Sequence, residues 1–207
     1  MPQLAQSKSI VSYNTIPPIE EHFISRGRGE YYLFLGRLSY EKGVKTLIKA
    51  FTELNGPKLK IVGTGPEEEM LKAYVAEHHS EDKIEFVGYR SGDELKELIR
   101  DASFVIVPSE CYENNPMTII EAYSAGVPVI GAHIGGIPEI IDENHTGLLF
   151  PSGDAHGLKE TIRKAESLSE EEYIKMSGAA RKFAAENFTE EQSYKRIMTL
   201  YQEIIKQ

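Results

Sequence analysis

Apolar residues in this sequence form short continuous runs, separated by longer stretches in which apolar side chains recur at helical spacing. Six of the runs have the length of a buried strand and end at glycine, proline or a polar turn. They lie at residues 31–36, 59–63, 84–88, 104–108, 127–131 and 147–150. After the first run, Val44, Leu47, Ile48 and Phe51 share one helical face. Strands that alternate with helices predict an α/β fold with a parallel sheet and right-handed crossovers.

Helices are predicted between the later strands and again beyond Pro151. Those between strands lie at residues 66–79 and 91–101, from residue 116 onward, and up to about residue 141. Three more are expected at residues 154–166, 169–187 and 189–206. The last one carries a continuous apolar stripe, made of Tyr194, Ile197, Met198, Tyr201, Ile204 and Ile205. One interpretation is that this stripe packs on the chain's own sheet.

The two ends of the chain differ from its regular middle. Residues 1–30 have no strong helical pattern, and only residues 10–13 resemble a strand. We therefore expect a linker and first strand over residues 1–30, an α/β domain over 31–187 and an amphipathic helix over 188–207. A chain of 207 residues is long enough for one such domain with a substantial core.

Unusual loops follow the strands, whereas the loops that precede strands are ordinary polar turns. The former lie at residues 36–37, 63–65, 88–90, 109–115 and 131–136, and the latter include residues 55–57 and 80–83. In a parallel sheet all loops that follow strands lie at one edge, which is where ligands bind. The asymmetry therefore predicts a binding edge.

The start of the helix after residue 116 is suited to a phosphate. Asn115 is a good N-cap residue and Pro116 a good first helical residue, so we predict that the helix begins there. The backbone N–H groups of Met117 and Thr118 then have no acceptor inside the helix. Free amides at the positive end of a helix dipole favour an anion, and a phosphate in particular.

Charged side chains are placed around this helix start. Glu113 lies in the loop before it and Glu121 lies within it, where a carboxylate can accept hydrogen bonds from sugar hydroxyls. Arg37 and Lys42 bracket the turn after the first core strand and could neutralise a diphosphate. Solvated surface cations are the alternative interpretation of the last two residues. The whole arrangement is typical of a site for a nucleotide joined to a second group.

Composition excludes several other classes of protein. The formal charge of −9, from 32 acidic and 23 basic residues, disfavours a nucleic-acid-binding surface. No apolar run approaches the roughly 20 residues that span a bilayer. The single cysteine, Cys111, excludes an intramolecular disulfide and fits a reducing compartment, so we expect a cytoplasmic protein.

Neither a metal nor a dinucleotide cofactor is expected. The sequence contains no Asp-x-Asp pair and no group of His, Cys and Asp with metal-ligand spacing. The glycines at residues 63 and 65 lack the third glycine of the dinucleotide fingerprint, because Glu68 stands in its place. A small residue at Gly63 could instead let a nucleoside approach the backbone, and a plain turn is almost as good an explanation.

The segment from Glu113 onward resembles the signature of a known enzyme family. Glu113 and Glu121 have seven residues between them, and the segment that begins at Glu121 reads EAYSAGVPVIGAHIGGIPEII. This pattern is similar to that of the family 4 retaining glycosyltransferases, and specifically to the C-terminal, donor-binding half of their GT-B architecture. The resemblance runs from about Asn14 to the C-terminus. It implies a Rossmann-like sheet flanked by helices that binds a nucleotide-diphosphate sugar, with a UDP-sugar favoured.

The resemblance also implies roles for individual residues. Glu113 would be the catalytic residue that contacts the transferred sugar, and Glu121 would hold the ribose hydroxyls. The donor phosphates would meet Arg37 and Lys42, and the loop of Tyr89 would meet the base. The remaining donor-binding positions would be Gly36, Gly63, Asn114, Asn115, Pro116, Met117 and Thr118. Asn114 and Asn115 depart from the Gly-Phe that is commoner after the first glutamate, which affects the shape of the sugar pocket.

The resemblance further implies a partner and leaves two alternatives open. In the family an N-terminal domain holds the acceptor, and a C-terminal helix crosses back to it, which is a second interpretation of the apolar stripe near residue 201. The isolated chain would then be inactive. The alternatives are a nucleotide-sugar epimerase, which needs additional acid and base residues, and a nucleotide-binding subunit without chemistry of its own.

Overall fold

The computed structural model describes residues 13–205, which form one six-stranded parallel sheet with helices on both faces. The strands are β1 (Tyr31–Leu35), β2 (Leu59–Val62), β3 (Ile84–Gly88), β4 (Ala102–Val107), β5 (Val129–Ala132) and β6 (Gly147–Phe150). Their order in the sheet is β3-β2-β1-β4-β5-β6. The α/β, Rossmann-like class predicted from the strand pattern is confirmed.

Eight α-helices connect or follow these strands within the described residues. They are α1 (Val44–Thr52), α2 (Glu68–Glu77), α3 (Gly92–Arg100), α4 (Met117–Ser124), α5 (Ile137–Ile140), α6 (Ala155–Ser167), α7 (Glu170–Asn187) and α8 (Glu190–Ile205). Each predicted helix is present, with ends shifted by one to a few residues. Of the strand expected over residues 10–13, residues 10–12 lie outside the described part of the chain.

Two apolar layers hold the sheet between its helices. Tyr32 and Phe34 of β1 point into the layer beneath α1, α2 and α6, whereas Tyr31 and Leu33 point into the layer beneath α3, α4 and α5. This alternation follows from the two-residue period of a strand. Because both faces are covered, the strands are continuous apolar runs, which is why they were legible in the sequence.

Neighbouring strands β1 and β4 are separated by 66 residues, from Leu35 at the end of one to Ala102 at the start of the other. From β1 the chain crosses to β2 and β3 on one side, and from β4 it crosses to β5 and β6 on the other. The loops that leave β1 and β4 therefore diverge and open a crevice at the carboxyl edge. Such a switch point is the usual ligand site of an open α/β sheet.

Helix α8 packs little against the rest of the domain. The side chains of its apolar stripe at Tyr194, Ile197, Tyr201, Ile204 and Ile205 are between 39% and 82% exposed. The interpretation that this stripe packs on the chain's own sheet is therefore wrong. Among residues 13–205, no helix is long and apolar enough to cross a membrane.

The segment before β1 packs beside the junction of α7 and α8. The Tyr13 ring meets the Phe188 ring edge-on at a centroid distance of 5.4 Å, and the Ile16 N–H donates to the Phe188 carbonyl at 3.1 Å. The Arg196 guanidinium of α8 lies 5.5 Å from the centroid of the Tyr13 ring. The first described residues and the first turns of α8 therefore lie at the same corner of the domain.

Candidate functional site

The first two loops of the carboxyl edge are packed backbone to backbone. Gly36 donates its N–H to the Val62 carbonyl at 3.0 Å, and Gly63 donates to the Gly88 carbonyl at 2.9 Å. A Cβ atom at Gly63 would overlap the carbonyl oxygen of Gly36, and the φ of 132° at Gly63 disfavours any side chain. These two glycines form the floor of the edge beside β1 and β2.

Lys42 and Glu113 meet across the switch-point crevice. The Lys42 ammonium donates a hydrogen bond to Glu113 Oε1, and Ser109 Oγ donates to the same oxygen at 3.0 Å. The side chains of Lys42 and Glu113 are 33% and 17% exposed, so solvent reaches the pair from one side. The structure therefore brings together a cation from the loop after β1 and a carboxylate from the loop after β4.

Lys42 is held in place by the turn that carries it. Residues Tyr40–Lys42 form a short 3₁₀ helix that ends at Gly43, whose φ of 66° is left-handed. A Cβ atom at Gly43 would overlap the carbonyl oxygen of Pro108, at the end of β4. The sequence Lys-Gly therefore lets the turn approach the next loop closely enough for Lys42 to reach Glu113.

The backbone of Glu113 and Asn114 rests on a second pair of glycines, Gly135 and Gly136, which follow β5. The Gly136 N–H donates to the Glu113 carbonyl at 2.7 Å. Cβ atoms at Gly135 and Gly136 would crowd the Glu113 and Asn114 carbonyl oxygens, respectively. The loop after β5 thus fixes the loop of Glu113 from below, while the Asn114 side chain is exposed.

The start of α4 differs from the expectation. Pro116 occupies the N-cap position, with φ −63° and ψ 121°, and the helix begins at Met117. The prediction that Asn115 is the N-cap is therefore wrong, because the first helical hydrogen bond runs from Ile119 N–H to the Pro116 carbonyl. The first helical residue is therefore Met117 and not Pro116, and the amides of Met117 and Thr118 still lack an acceptor within the helix.

Asn115 has an unusual environment for an amide side chain. Its Nδ2 and Oδ1 atoms are buried and have no hydrogen-bond partner among the described residues. Its backbone carbonyl accepts a hydrogen bond from Asn14 Nδ2 at 3.1 Å. The loop before α4 is thus tied to the segment that enters the domain, whereas the Asn115 side-chain amide has no protein partner among the described residues.

Glu121 does not face Glu113. Its side chain lines a separate cavity of about 300 Å³ between α3, α4 and residues 16–20. Within the described residues it has no hydrogen-bond or ion-pair partner, and burial raises the pKa of its carboxyl group. The cavity walls are mainly apolar and include Leu95 and Ile99 of α3. The two glutamates therefore face different parts of the edge.

Other predicted residues stand apart. Arg37 is exposed and forms no ion pair in residues 13–205, and Tyr89 is 69% exposed beyond β3. The structure places both on the carboxyl edge, and neither forms a hydrogen bond or ion pair with Lys42 or Glu113 within the described residues. No cluster of three or more His, Cys, Asp or Glu residues that could hold a metal occurs in the described chain.

A larger cavity lies away from the Lys42–Glu113 crevice. It has a volume of about 750 Å³ and is lined by residues 25–31 together with parts of β2 and α3. Among its charged groups, Arg100 forms two hydrogen bonds with Asp101 at 2.6 and 2.8 Å, and Arg90 lies 3.5 Å from Glu94. The crevice at β1 and β4 is the better candidate, because it lies at the switch point of the sheet and brings Lys42 and Glu113 together.

Ser109 was not singled out by the sequence, and its hydroxyl is an integral part of the crevice. Serine is common in loops, and its spacing from Glu113 has no special meaning outside a helix. Its position directly after Pro108 at the end of β4 was the only available signal.

The chain is similar to known proteins in sequence and in fold. Residues 17–183 match the family model described as "Glycosyl transferases group 1". The chain is 27% identical over 179 residues to the putative colanic acid biosynthesis glycosyltransferase WcaL of Salmonella typhimurium. The match covers 82% of this chain and 44% of that protein. The chain thus spans about half the length of the curated relatives it matches.

Solved structures show the same fold. Sucrose-phosphate synthase from Thermosynechococcus elongatus superposes with a TM-score of 0.75 and 27% identity, over 85% of this chain and 46% of that one. Anabaena HepE, solved in complex with UDP-glucose, superposes with a TM-score of 0.72 and 22% identity, over 86% and 48%. These neighbours confirm that the chain has the Rossmann-like fold of about half of a GT-B glycosyltransferase.

Proposed function

The chain belongs to the group 1 glycosyl transferases, and from that membership we propose that it binds the nucleotide-diphosphate sugar donor of a retaining transfer. The observation that carries the proposal is the meeting of Lys42 and Glu113 at the switch point, next to the start of α4. A cation, a carboxylate and free helix amides in one crevice suit a phosphate that is joined to a sugar.

In this proposal the diphosphate lies over the crevice between β1 and β4. Lys42 supplies a mobile positive charge, Arg37 a planar set of donors, and the amides of Met117 and Thr118 fixed dipoles. These groups stabilise the charge that develops on the leaving diphosphate as the glycosidic bond breaks. Lys42 has to exchange its hydrogen bond with Glu113 for one with a phosphate oxygen, which leaves Glu113 available to the sugar.

The nucleoside extends from the diphosphate toward β2 and β3. Gly36 and Gly63 allow it to approach the backbone, Tyr89 lies near the base, and Glu121 accepts hydrogen bonds from the ribose hydroxyls. The cavity beside Glu121 supports this part of the proposal, because an unpaired, partly buried carboxylate lacks the donors that ribose can provide. We favour a UDP-sugar, since HepE, which has the same fold, was solved with UDP-glucose.

Asn114, Asn115 and Pro116 complete the proposed donor site. They join Glu113 to the start of α4, so they border the space in which the transferred sugar has to lie. Asn114 is exposed, and the Asn115 side chain has no partner among the described residues. An amide that faces the bound donor can therefore pair with a sugar hydroxyl. The identity of the sugar is therefore expected to depend on this segment.

A second domain is part of the proposal. All candidate residues lie on one edge of one sheet, and transfer needs an acceptor held against the sugar with water excluded. We propose that an N-terminal domain of the same enzyme supplies that wall and that the exposed stripe of α8 packs against it. The corner shared by Tyr13 and α8 supports this arrangement, because both connections would leave toward the same partner.

The other proposed features follow from this assignment. Residues 31–187 are the donor-binding domain and 188–207 the crossing helix, and a cytoplasmic location suits the single cysteine, Cys111. The relatives are named as glycosyltransferases and synthases, which does not favour the epimerase or the non-catalytic subunit.

The test is calorimetric titration of the chain with UDP, GDP, ADP and UDP-glucose. We expect one nucleoside diphosphate to bind clearly better than the others, and no sugar transfer to simple acceptors. Failure of all four ligands to bind would overturn the donor assignment. Turnover at ordinary enzyme rates would show instead that the chain needs no second domain.

A further inference from the structure

Glu110 lies between β4 and Glu113 and makes two hydrogen bonds to the segment that carries Lys42. Its backbone N–H donates to the Glu41 carbonyl at 2.9 Å. Its carboxylate Oε1 accepts a hydrogen bond from Thr46 Oγ1 at 2.6 Å. Glu41 precedes Lys42 in the chain and Thr46 follows it, so these bonds hold the Lys42 turn on both of its sides.

The bonds of Glu110 are placed where the two loops are already in close contact. Thr46 is only 8% exposed, so its hydroxyl has little access to water and depends on Glu110 for its partner. Gly43, between them, packs on the Pro108 carbonyl without room for a Cβ atom. The Lys42 turn is therefore fixed to the end of β4 by the packing of Gly43 and by the two hydrogen bonds of Glu110.

The loop after β6 also contacts the segment that contains Glu110. Ser152, two residues after the end of β6, donates its hydroxyl to the Ser109 carbonyl at 2.9 Å, and Gly153 lies beside the Glu110 carboxylate. Residues 109 and 110 thus connect the loops after β1, β4 and β6. Ser109 also bonds Glu113, whereas the carboxylate of Glu110 is directed to Thr46 on α1.

We propose that Glu110 is a positioning residue for the donor diphosphate, acting through Lys42. The inference rests on the proposed donor-binding function. Glu110 keeps the backbone of the Lys42 turn at a fixed distance from Glu113, so that only the Lys42 side chain has to move when a diphosphate replaces Glu113 as its partner. A pre-positioned cation loses less conformational freedom on binding, which favours affinity.

The test measures UDP affinity by calorimetry in Thr46→Val and Glu110→Ala. Each variant removes the side-chain hydrogen bond, and we expect UDP to bind about two- to ten-fold more weakly, the span of a single hydrogen bond. Glu110→Gln and Thr46→Ser keep an acceptor and a hydroxyl, so we expect both to bind UDP within about two-fold of wild type. These conservative variants also show that the loop still folds.

Two controls separate positioning from general stability. Glu166→Ala removes a comparable hydrogen bond, which the Tyr32 hydroxyl donates to the Glu166 carboxylate at 2.5 Å near the amino end of β1. It is expected to lower Tm without changing UDP affinity. In a Lys42→Ala background, Glu110→Ala should cost almost no further affinity, because the residue through which it acts is gone.

The outcomes are distinguishable from a failure of the proposed function. Wild-type protein that binds none of UDP, GDP and ADP overturns the donor assignment and this inference with it. UDP binding that is unchanged in Thr46→Val and Glu110→Ala overturns the inference alone. An equal loss from Glu110→Ala with and without Lys42 also overturns it, because the effect would then not pass through Lys42.

Discussion

The Lys42 ammonium is hydrogen-bonded to the Glu113 carboxylate, so two side chains proposed for different parts of the donor hold each other in the free protein. Neither is an isolated charge in the crevice, since Ser109 adds a third group to the pair. A diphosphate therefore has to compete with Glu113 for Lys42. This competition gives the two residues opposite expected effects on diphosphate binding.

Replacing the cations should weaken binding of the diphosphate. We expect Lys42→Ala and Arg37→Ala each to lower UDP affinity ten-fold or more, since a hydrogen bond to a charged group is worth about 1.5–3 kcal/mol. Calorimetry measures the affinity and thermal melting checks the fold. Lys159→Ala is the matched control, because Lys159 pairs with Glu53 at 2.5 Å at the end of α1 far from Lys42. Unchanged affinity in both site variants would refute the phosphate assignment.

Replacing Glu113 should separate the sugar from the diphosphate. Glu113→Gln removes the charge that competes for Lys42, so we expect UDP to bind at least as tightly as to wild type. Binding of UDP-glucose, or of whichever sugar nucleotide wild type prefers, should weaken because the sugar loses a charged acceptor. The ratio of the two dissociation constants is the measurement. A parallel loss for both ligands would contradict the sugar-contacting role.

Glu121 should make the stability of the free protein depend on pH. Burial raises the folded-state pKa of its carboxyl group, so the ionised form destabilises the folded protein and stability falls as pH rises through that pKa. Glu121→Gln should therefore have a higher Tm than wild type at neutral pH. The difference should vanish near about pH 3, where the carboxyl is protonated in both states.

The measurement is thermal melting across this pH range, with the exposed Glu77→Gln as the matched control. Glu121→Gln should also weaken UDP binding, because an amide is a poorer acceptor for the ribose hydroxyls than a carboxylate. A variant that gains no stability at neutral pH would show that Glu121 is not desolvated in the free protein.

Replacing Asn115 by an apolar residue should stabilise the protein. Its two buried side-chain atoms have no partner among residues 13–205, and an unsatisfied buried group costs about 1–3 kcal/mol. Asn115→Leu is therefore expected to raise the free energy of unfolding by about 1 kcal/mol or more. Denaturant titration measures the gain, and Asn114→Leu, at the exposed neighbouring position, should stay within about 0.5 kcal/mol of wild type. Loss of stability in Asn115→Leu would mean that ordered water satisfies the amide.

Most of the fold was predictable because its strands are buried on both faces. The runs that became β1 to β6 contain little besides apolar residues, and length separates them from helices. The helix expected over residues 154–166 is present as α6, with Asp154 as its N-cap and not its first helical residue. The Asp154 carboxylate accepts a hydrogen bond from the Gly157 N–H at 3.0 Å.

The candidate site was predictable only in part, because its contacts are not local. The strand pattern places Lys42 and Glu113 on one edge, but the sheet order makes them neighbours, and no local signal specifies that order. At Asn115 two local preferences competed, and the N-cap position went to Pro116, whose fixed φ suits either the cap or the first turn. For α8 the periodicity revealed an apolar face but not what covers it.

The glycines beneath the crevice would mislead anyone who ranks residues by tolerance to mutation. Gly43, Gly63, Gly135 and Gly136 each face a backbone carbonyl with no room for a single added carbon, so a saturation scan would find them as intolerant as any catalytic group. Gly178, within α7, has open space around it and should accept alanine readily. The shape of this edge depends on the absence of side chains at these glycines. Invariant glycines at these positions among homologues would therefore reflect a steric constraint and not a catalytic role.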